Sequence, residues 1–188
     1  AEVSDVANAV YDGADAVSAT FAGLAENSLL VVGSTVFRVS YVGGTGNDVV
    51  LTVINANVWD GGGADDNWQT AANWVGDVAP TPGADLIFPT GAARLSNNNN
   101  FPANTSFGTI LVTGPSYTFS GNTIDLDDPI VVNASSTTLN FDIRLLPGSS
   151  LLNYASGTLT VNSAIDLNGN TLNVANPLGT STLLNDTI

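Results

Sequence analysis

The chain has 188 residues, 44% of them hydrophobic and 11% charged, with no Cys, Met, His or Lys. Three arginines, Arg38, Arg94 and Arg144, stand against 17 carboxylates, for a formal charge of -14. Three dispersed cations cannot track a phosphate backbone, which excludes nucleic acid as a partner. The missing side chains exclude Cys and Ser-His nucleophiles, thiolate or imidazole metal sites and Schiff-base lysines, so a non-enzymatic role is expected.

The length suits one or two domains with a real core. No apolar run is long enough for a membrane-spanning helix. The opening Ala1 shows no secretory signal, which predicts either a removed leader or an internal piece of a longer protein.

In chain order, Val3, Val6, Ala7, Val10 and Ala14 recur at three- and four-residue steps, predicting one short amphipathic helix over residues 1–16. Residues 17–55 alternate strands with turns. Phe37, Val39 and Tyr41 alternate with Arg38 and Ser40, a strand with one wet face, and the Gly-rich link after Val42 predicts a hairpin.

Residues 56–100 form a region rich in Trp, Gly and Pro. Trp59, Trp68 and Trp74 fall within sixteen residues, followed by Pro80, Pro82 and Pro89 and the polar run Ser96–Asn100. An irregular loop module pinned by indoles is expected.

Residues 101–188 read as short strands cut by Gly, Asn and Pro. TLNF at Thr138–Phe141 is echoed by TLTV at Thr158–Val161 and TLNV at Thr171–Val174, and TIDL at Thr123–Leu126 by AIDL at Ala164–Leu167. Steps of 20, 13 and 41 residues point to coils of about twenty residues. The predicted class is all-β: a parallel β-helix, or β-solenoid, with the Trp-rich loop module and the N-terminal helix, or alternatively a β-sandwich.

Two resemblances are carried by specific segments. AEVSDVANAVYDGADAV at Ala1–Val17 resembles a barrel helix of pyruvate kinase and its approach to the next strand, covering under a tenth of the chain. The family's catalytic Thr and Arg would precede Ala1, so this resemblance implies a helix, a fusion or misassigned stretch, and no kinase activity.

TFAGLAENSLLVVGSTVFRVSYVGGTGNDVVLTV at Thr20–Val53 and WDGGGADDNWQTAANWVGDVAPTPGADLIFPTGA at Trp59–Ala92 are similar to bacterial surface proteins with autotransporter-associated β-strand repeats. In that family the first block tends to close one β-helical unit and the second opens the next. The resemblance implies secretion, a parallel β-helix and a structural or adhesive role, and names no catalytic residue.

Candidate chemistry is sparse. GGTGNDVVL at Gly43–Leu51 matches one copy of the calcium-binding nonapeptide pattern, making Asp48 a candidate ligand. Calcium needs six to eight oxygens, and a hairpin turn explains the same residues. Asp60, Asp65 and Asp66 crowd a glycine loop and offer oxygens to a calcium ion, or cap a short helix at NWQTAANW.

Trp59, Trp68 and Trp74 suit stacking on glycans or, alternatively, a small core. Asp125, Asp127 and Asp128 in IDLDDP raise a glycosidase pair, against ordinary turn chemistry. Asn97–Asn100 suit a stacked amide ladder or a solvated loop.

The expected function is an extracellular or cell-surface building unit of a bacterial surface layer, adhesin or filament. It would associate with itself through exposed β edges or strand addition. The alternative is an adhesin module that binds surface glycans through the tryptophans.

Overall fold

The computed structural model describes residues 8–10, 20–21, 26, 29–32, 35–43, 46, 48–134, 136–147, 151–153, 158–175 and 181–184. The fold is all-β, with a parallel β-solenoid, and the chain divides into two compact units, Ala1–Asn55 and Ala56–Ile188. Among the described residues the one helical element is a 3-10 turn, Ala71–Asn73, and no helix is long and apolar enough to cross a membrane.

The first unit is an antiparallel sheet of β1 (Asn8–Val10), β2 (Leu29–Val32), β3 (Thr35–Gly43) and β4 (Asp48–Ile54), in the order β1-β4-β3-β2. On β3, Val39 and Tyr41 are buried while Arg38 is exposed, as the alternation predicts. The Glu26 carboxylate accepts hydrogen bonds from the Ser40 hydroxyl (2.9 Å) and the Tyr41 N–H (2.6 Å), beside an irregularity in the β3–β4 register.

The predicted helix is corrected at Asn8–Val10, which pairs antiparallel with β4 from Asn8↔Thr52 to Val10↔Val50. Its β-branched valine suits a strand, and the β4 edge supplies hydrogen-bond partners. The rest of residues 1–16 lies outside the described residues.

The second unit winds through three parallel sheets. Its strands are β5 (Ala56–Val58), β6 (Asp85–Phe88), β7 (Ser96–Asn99), β8 (Thr105–Phe107), β9 (Ile110–Val112), β10 (Tyr117–Gly121), β11 (Ile124–Leu126) and β12 (Ile130–Val132). They continue with β13 (Ser136–Leu139), β14 (Ile143–Leu145), β15 (Leu151–Asn153), β16 (Thr158–Val161), β17 (Ile165–Asp166), β18 (Val174–Ala175) and β19 (Ser181–Leu184).

Sheet one stacks β7-β10-β13-β16-β19, sheet two β8-β11-β14-β17, and sheet three β5-β6-β9-β12-β15-β18. Every third strand from β7 onward therefore returns to the same face, which is the winding of a solenoid.

Strand alternation sends one side chain in two to the interior, where the register stacks it on its equivalent in the next coil. The core columns are Asn97–Phe119–Leu139–Val161 on sheet one, Ile124–Ile143–Ile165 and Phe107–Leu126–Leu145 on sheet two, and Ile110–Ile130 and Val112–Val132 on sheet three. The Phe119 and Phe88 rings meet edge to face at 4.7 Å, joining the inner surfaces of sheets one and three.

Corners need backbone that side chains resist. Gly121 turns the chain after β10 at φ 111°, and a Cβ there would lie 2.2 Å from the Asn99 carbonyl oxygen.

Candidate functional site

The Trp-rich segment folds onto the first edge of the solenoid and closes it. On sheet one, Asn67 bridges Asn98 in parallel: the Trp68 N–H donates to the Asn98 carbonyl (3.0 Å), and the Asn98 N–H donates to the Asp66 carbonyl (2.8 Å). On sheet two, the Gly83 N–H donates to the Ser106 carbonyl (2.8 Å), and the Gly108 N–H to the Ala84 carbonyl (3.0 Å).

On sheet three, β5 lies along β6, and the Val75 N–H donates to the Val58 carbonyl (2.8 Å). All three sheets thus begin against residues of the 56–84 segment, which satisfies backbone groups that a bare edge would leave open.

The tryptophans are the inner surface of this cap. Trp59, Trp68 and Trp74 are each 0% exposed, so they present no ring face on which a sugar could stack. Trp68 contacts the rings of Phe88, Phe107, Phe119 and Phe141 at 5.3–6.4 Å, and Trp59 meets Trp74 edge to face at 5.2 Å. Their indole N–H groups donate to the Arg94 carbonyl, Asn97 Oδ1 and the Trp68 carbonyl, at 2.7–2.8 Å. At roughly 200 Å² of buried surface each, the indoles contribute several kcal/mol apiece to holding the cap on the coils.

Asn73, fully buried, is the polar hub of the cap. Its Nδ2 donates to the carbonyls of Asn67 (2.9 Å) and Asp65 (3.0 Å), and its Oδ1 accepts from the Gly63 N–H (2.9 Å). A Cβ at Gly63 would sit 2.6 Å from that Oδ1, so the glycine is a packing requirement.

Three of the four candidate calcium ligands, Asp60, Asp65 and Asp66, make hydrogen bonds or an ion pair within the cap. Asp60 Oδ1 accepts the Gly62 N–H (2.9 Å), and Asp66 pairs with Arg94 at 3.3 Å. Asp65 accepts the Asn67 N–H and the Thr70 hydroxyl, each at 3.0 Å. The backbone hydrogen bond from Asn67, followed by the Thr70 bond, holds the Asp65 carboxyl below its ordinary pKa.

Neither Asp65 nor Asp66 is the N-cap of the 3-10 turn. That position belongs to Thr70, without a side-chain cap bond. Asp48 lies opposite Gly43 at the β3–β4 turn, where Gly46 takes φ 100° and its N–H donates to the Gly43 carbonyl. Asp48 is buried, and its Oδ1 meets no hydrogen-bond donor among the described residues. Among those residues no group of three or more carboxylates is placed to hold a metal.

Of the IDLDDP carboxylates, Asp127 and Asp128 are exposed in the β11–β12 turn, while Asp125 is buried and paired with Arg144, whose Nε donates to its Oδ1 at 2.9 Å. The register continues from Arg144 to Asp166 on β17. Contact with Asp125, and then the charge of Asp166, stabilises the Arg144 cation. The result is a charge ladder on sheet two, with a single carboxylate at the core end of the run.

Asn97–Asn99 lie on strand β7, and Asn100 follows its end. Asn98 Nδ2 donates to Asn67 Oδ1 (2.9 Å), and Asn162 Nδ2 to Asn140 Oδ1 (3.0 Å) on the same sheet. Asn98 thus pairs its amide with the cap, and Ser120 follows it in the register on β10, so the run does not stack amide on amide from coil to coil.

The far edge is different. β19, β17 and β18 are the last strands of their sheets among the described residues. By backbone register, through Leu151, Val174 is in line with Ile110 and Ile130. Ile110 and Ile130 are at most 1% exposed, whereas Val174 is 41% exposed. The candidate site is this rim, which has no further strand among the described residues.

No protein-family model, curated protein or solved structure matches the chain.

Proposed function

We propose that the protein is a structural building unit of an extracellular or cell-surface assembly, in which solenoid coils are extended by strand addition. The observation that carries this reading is the stacking of parallel sheets whose last described strands, β17–β19, have no further neighbour among the described residues, with Val174 of β18 exposed. An edge of this kind gains backbone hydrogen bonds and apolar burial when another strand set covers it. The resemblance of Thr20–Val53 and Trp59–Ala92 to autotransporter-associated repeats adds the cell surface and the tandem arrangement. The chain then acts as a repeat whose rim is met by the coils of a neighbour.

The scarcity of charge chemistry agrees with a mechanical role: the arginines with described partners, Arg94 and Arg144, are tied into internal ion pairs. The glycan-stacking alternative is not carried forward, because its three indoles are enclosed.

Sedimentation velocity over a wide concentration range tests the reading. Reversible association that grows with concentration is expected, and a monomer at every concentration and salt level overturns it.

A further inference from the structure

Where glycine follows asparagine, the chain can expel its own side-chain amide, because no Cβ blocks the glycine nitrogen from reaching the asparagine Cγ. The sequence holds one such pair, Asn168–Gly169, in the turn between β17 and β18. Both residues are exposed, with φ 47° and 77°. The Asn170 N–H donates to the Leu167 carbonyl at 2.7 Å, as in a type I′ turn.

The turn leaves that reaction open. The Gly169 N–H, whose nitrogen is the nucleophile, meets no acceptor among the described residues. A Cβ at Gly169 would find no heavy atom within 4 Å, so the backbone there is unobstructed. The Asn168 amide is held weakly: its Nδ2 reaches the Leu145 carbonyl at 3.3 Å, and Asn170 Nδ2 competes for the same oxygen at 3.2 Å.

Asn104 is the contrast. It is also exposed and left-handed, at φ 64°. The residue after it is β-branched Thr105, whose N–H is engaged by the Pro102 carbonyl at 3.1 Å.

The geometry points to Asn168 as a self-modifying site, whose carboxamide is lost in the folded protein to give aspartate or isoaspartate. The Gly169 nitrogen gives its proton to solvent base and bonds to Asn168 Cγ. The Cγ–Nδ2 bond breaks, and the amide nitrogen leaves as ammonia, which water protonates. A second water opens the succinimide ring, at Cγ to leave aspartate or at the Asn168 main-chain carbonyl to leave isoaspartate. In sum, carboxamide and water become carboxylate and ammonium, with no oxidant or enzyme required.

Ring closure turns the Asn168 Cα–C bond and gives up the bond from Asn170 to Leu167, so opening of the turn sets the rate. The product can no longer donate to the Leu145 carbonyl. Its new charge also lies beside Asp166, whose Oδ1 already accepts the Asn168 N–H at 2.9 Å. The like charges loosen the turn.

Peptide mapping by mass spectrometry tests the site, on the full chain aged while folded in mildly alkaline heavy-oxygen water. Asn168 is expected to lose its amide at least tenfold faster than Asn104, with solvent oxygen incorporated and isoaspartate among the products. Gly169→Ala is expected to slow the loss at least tenfold. Because alanine is strained at that φ, the same comparison is made in urea, where the strain is absent and the slowing should persist. Asn168→Asp is expected to exchange its Asn170 amide faster than the fresh parent.

An Asn168 amide retained in the folded chain but lost in urea, or loss at equal rates from Asn168 and Asn104, would overturn the assignment. Unslowed loss in Gly169→Ala would overturn the attack by the Gly169 nitrogen. An unchanged Asn170 exchange rate in Asn168→Asp would overturn the loosening of the turn.

Discussion

The indole N–H of Trp68 donates to Oδ1 of Asn97 across 2.8 Å in the fully enclosed interior, tying the cap to the first strand of sheet one. Trp68 comes from the glycine-rich loop and Asn97 from β7, at the foot of the column that continues through Phe119, Leu139 and Val161. One hydrogen bond therefore joins the element that closes the solenoid to the element that starts it.

Breaking this bond from either side is costly, and replacing both partners together is cheaper. Trp68→Phe orphans the amide oxygen, while Asn97→Leu orphans the indole N–H. Each change costs about 1–3 kcal/mol for the stranded group. Asn97 Nδ2 already lacks a partner among the described residues, so the double variant forms an apolar pair without an unmet amide. A double-mutant cycle by urea unfolding is expected to give a coupling of about 1–3 kcal/mol, with the double variant more stable than the sum of the singles. Additive losses would contradict this.

Thr137 stands between Tyr117 and Leu159 in an inward column of sheet one, fully buried, and its hydroxyl has no partner among the described residues. Thr137→Val keeps the branched shape that suits a strand and removes the unmet group. It is expected to stabilise the second unit by about 1 kcal/mol, read as a higher unfolding midpoint. A lower midpoint contradicts the packing described.

Asp65 makes cap stability depend on pH. Its carboxyl is held below the ordinary value by the hydrogen bonds from Asn67 and Thr70, so the unfolded chain binds the proton first. The contribution is complete above the ordinary aspartate pKa of about 3.9 and is lost as pH falls through the depressed folded value. Asp65→Asn is therefore expected to lower the urea midpoint at neutral pH and to converge with the parent in acid. A difference that stays constant with pH would contradict this role.

The winding was legible in the echo of TIDL and AIDL: Ile124 and Ile165 occupy one column, two coils apart, with Ile143 between them. The shorter echo misaligned by two residues. TLNF and TLTV sit 20 apart, but Leu139 pairs with Val161, not with Leu159. An alternating strand looks the same when slid by two, because inward residues still face inward. Thr171–Val174 belongs to another face altogether, since Val174 lies on sheet three.

The cap was not legible as a cap. Asn is depleted in strands, so Ser96–Asn100 reads as a loop until strand partners are supplied: β10 on one side and, on the other, Asn67, 31 residues before Asn98. The one signal was the crowding of three tryptophans beside a run of amides able to accept from their N–H groups. The strand at Asn8–Val10 was hidden by a helical period that its non-local pairing with β4 overrides.

Native-state hydrogen exchange of the two rims tests the central claim most directly. The Trp68, Asn98 and Gly108 amides, bonded across the first rim, are expected to exchange only with global unfolding of the second unit. Outward-pointing amides of β19 should exchange far faster in dilute protein and slow on concentration. Fast exchange of the Trp68, Asn98 and Gly108 amides would contradict a first rim closed by residues 56–84.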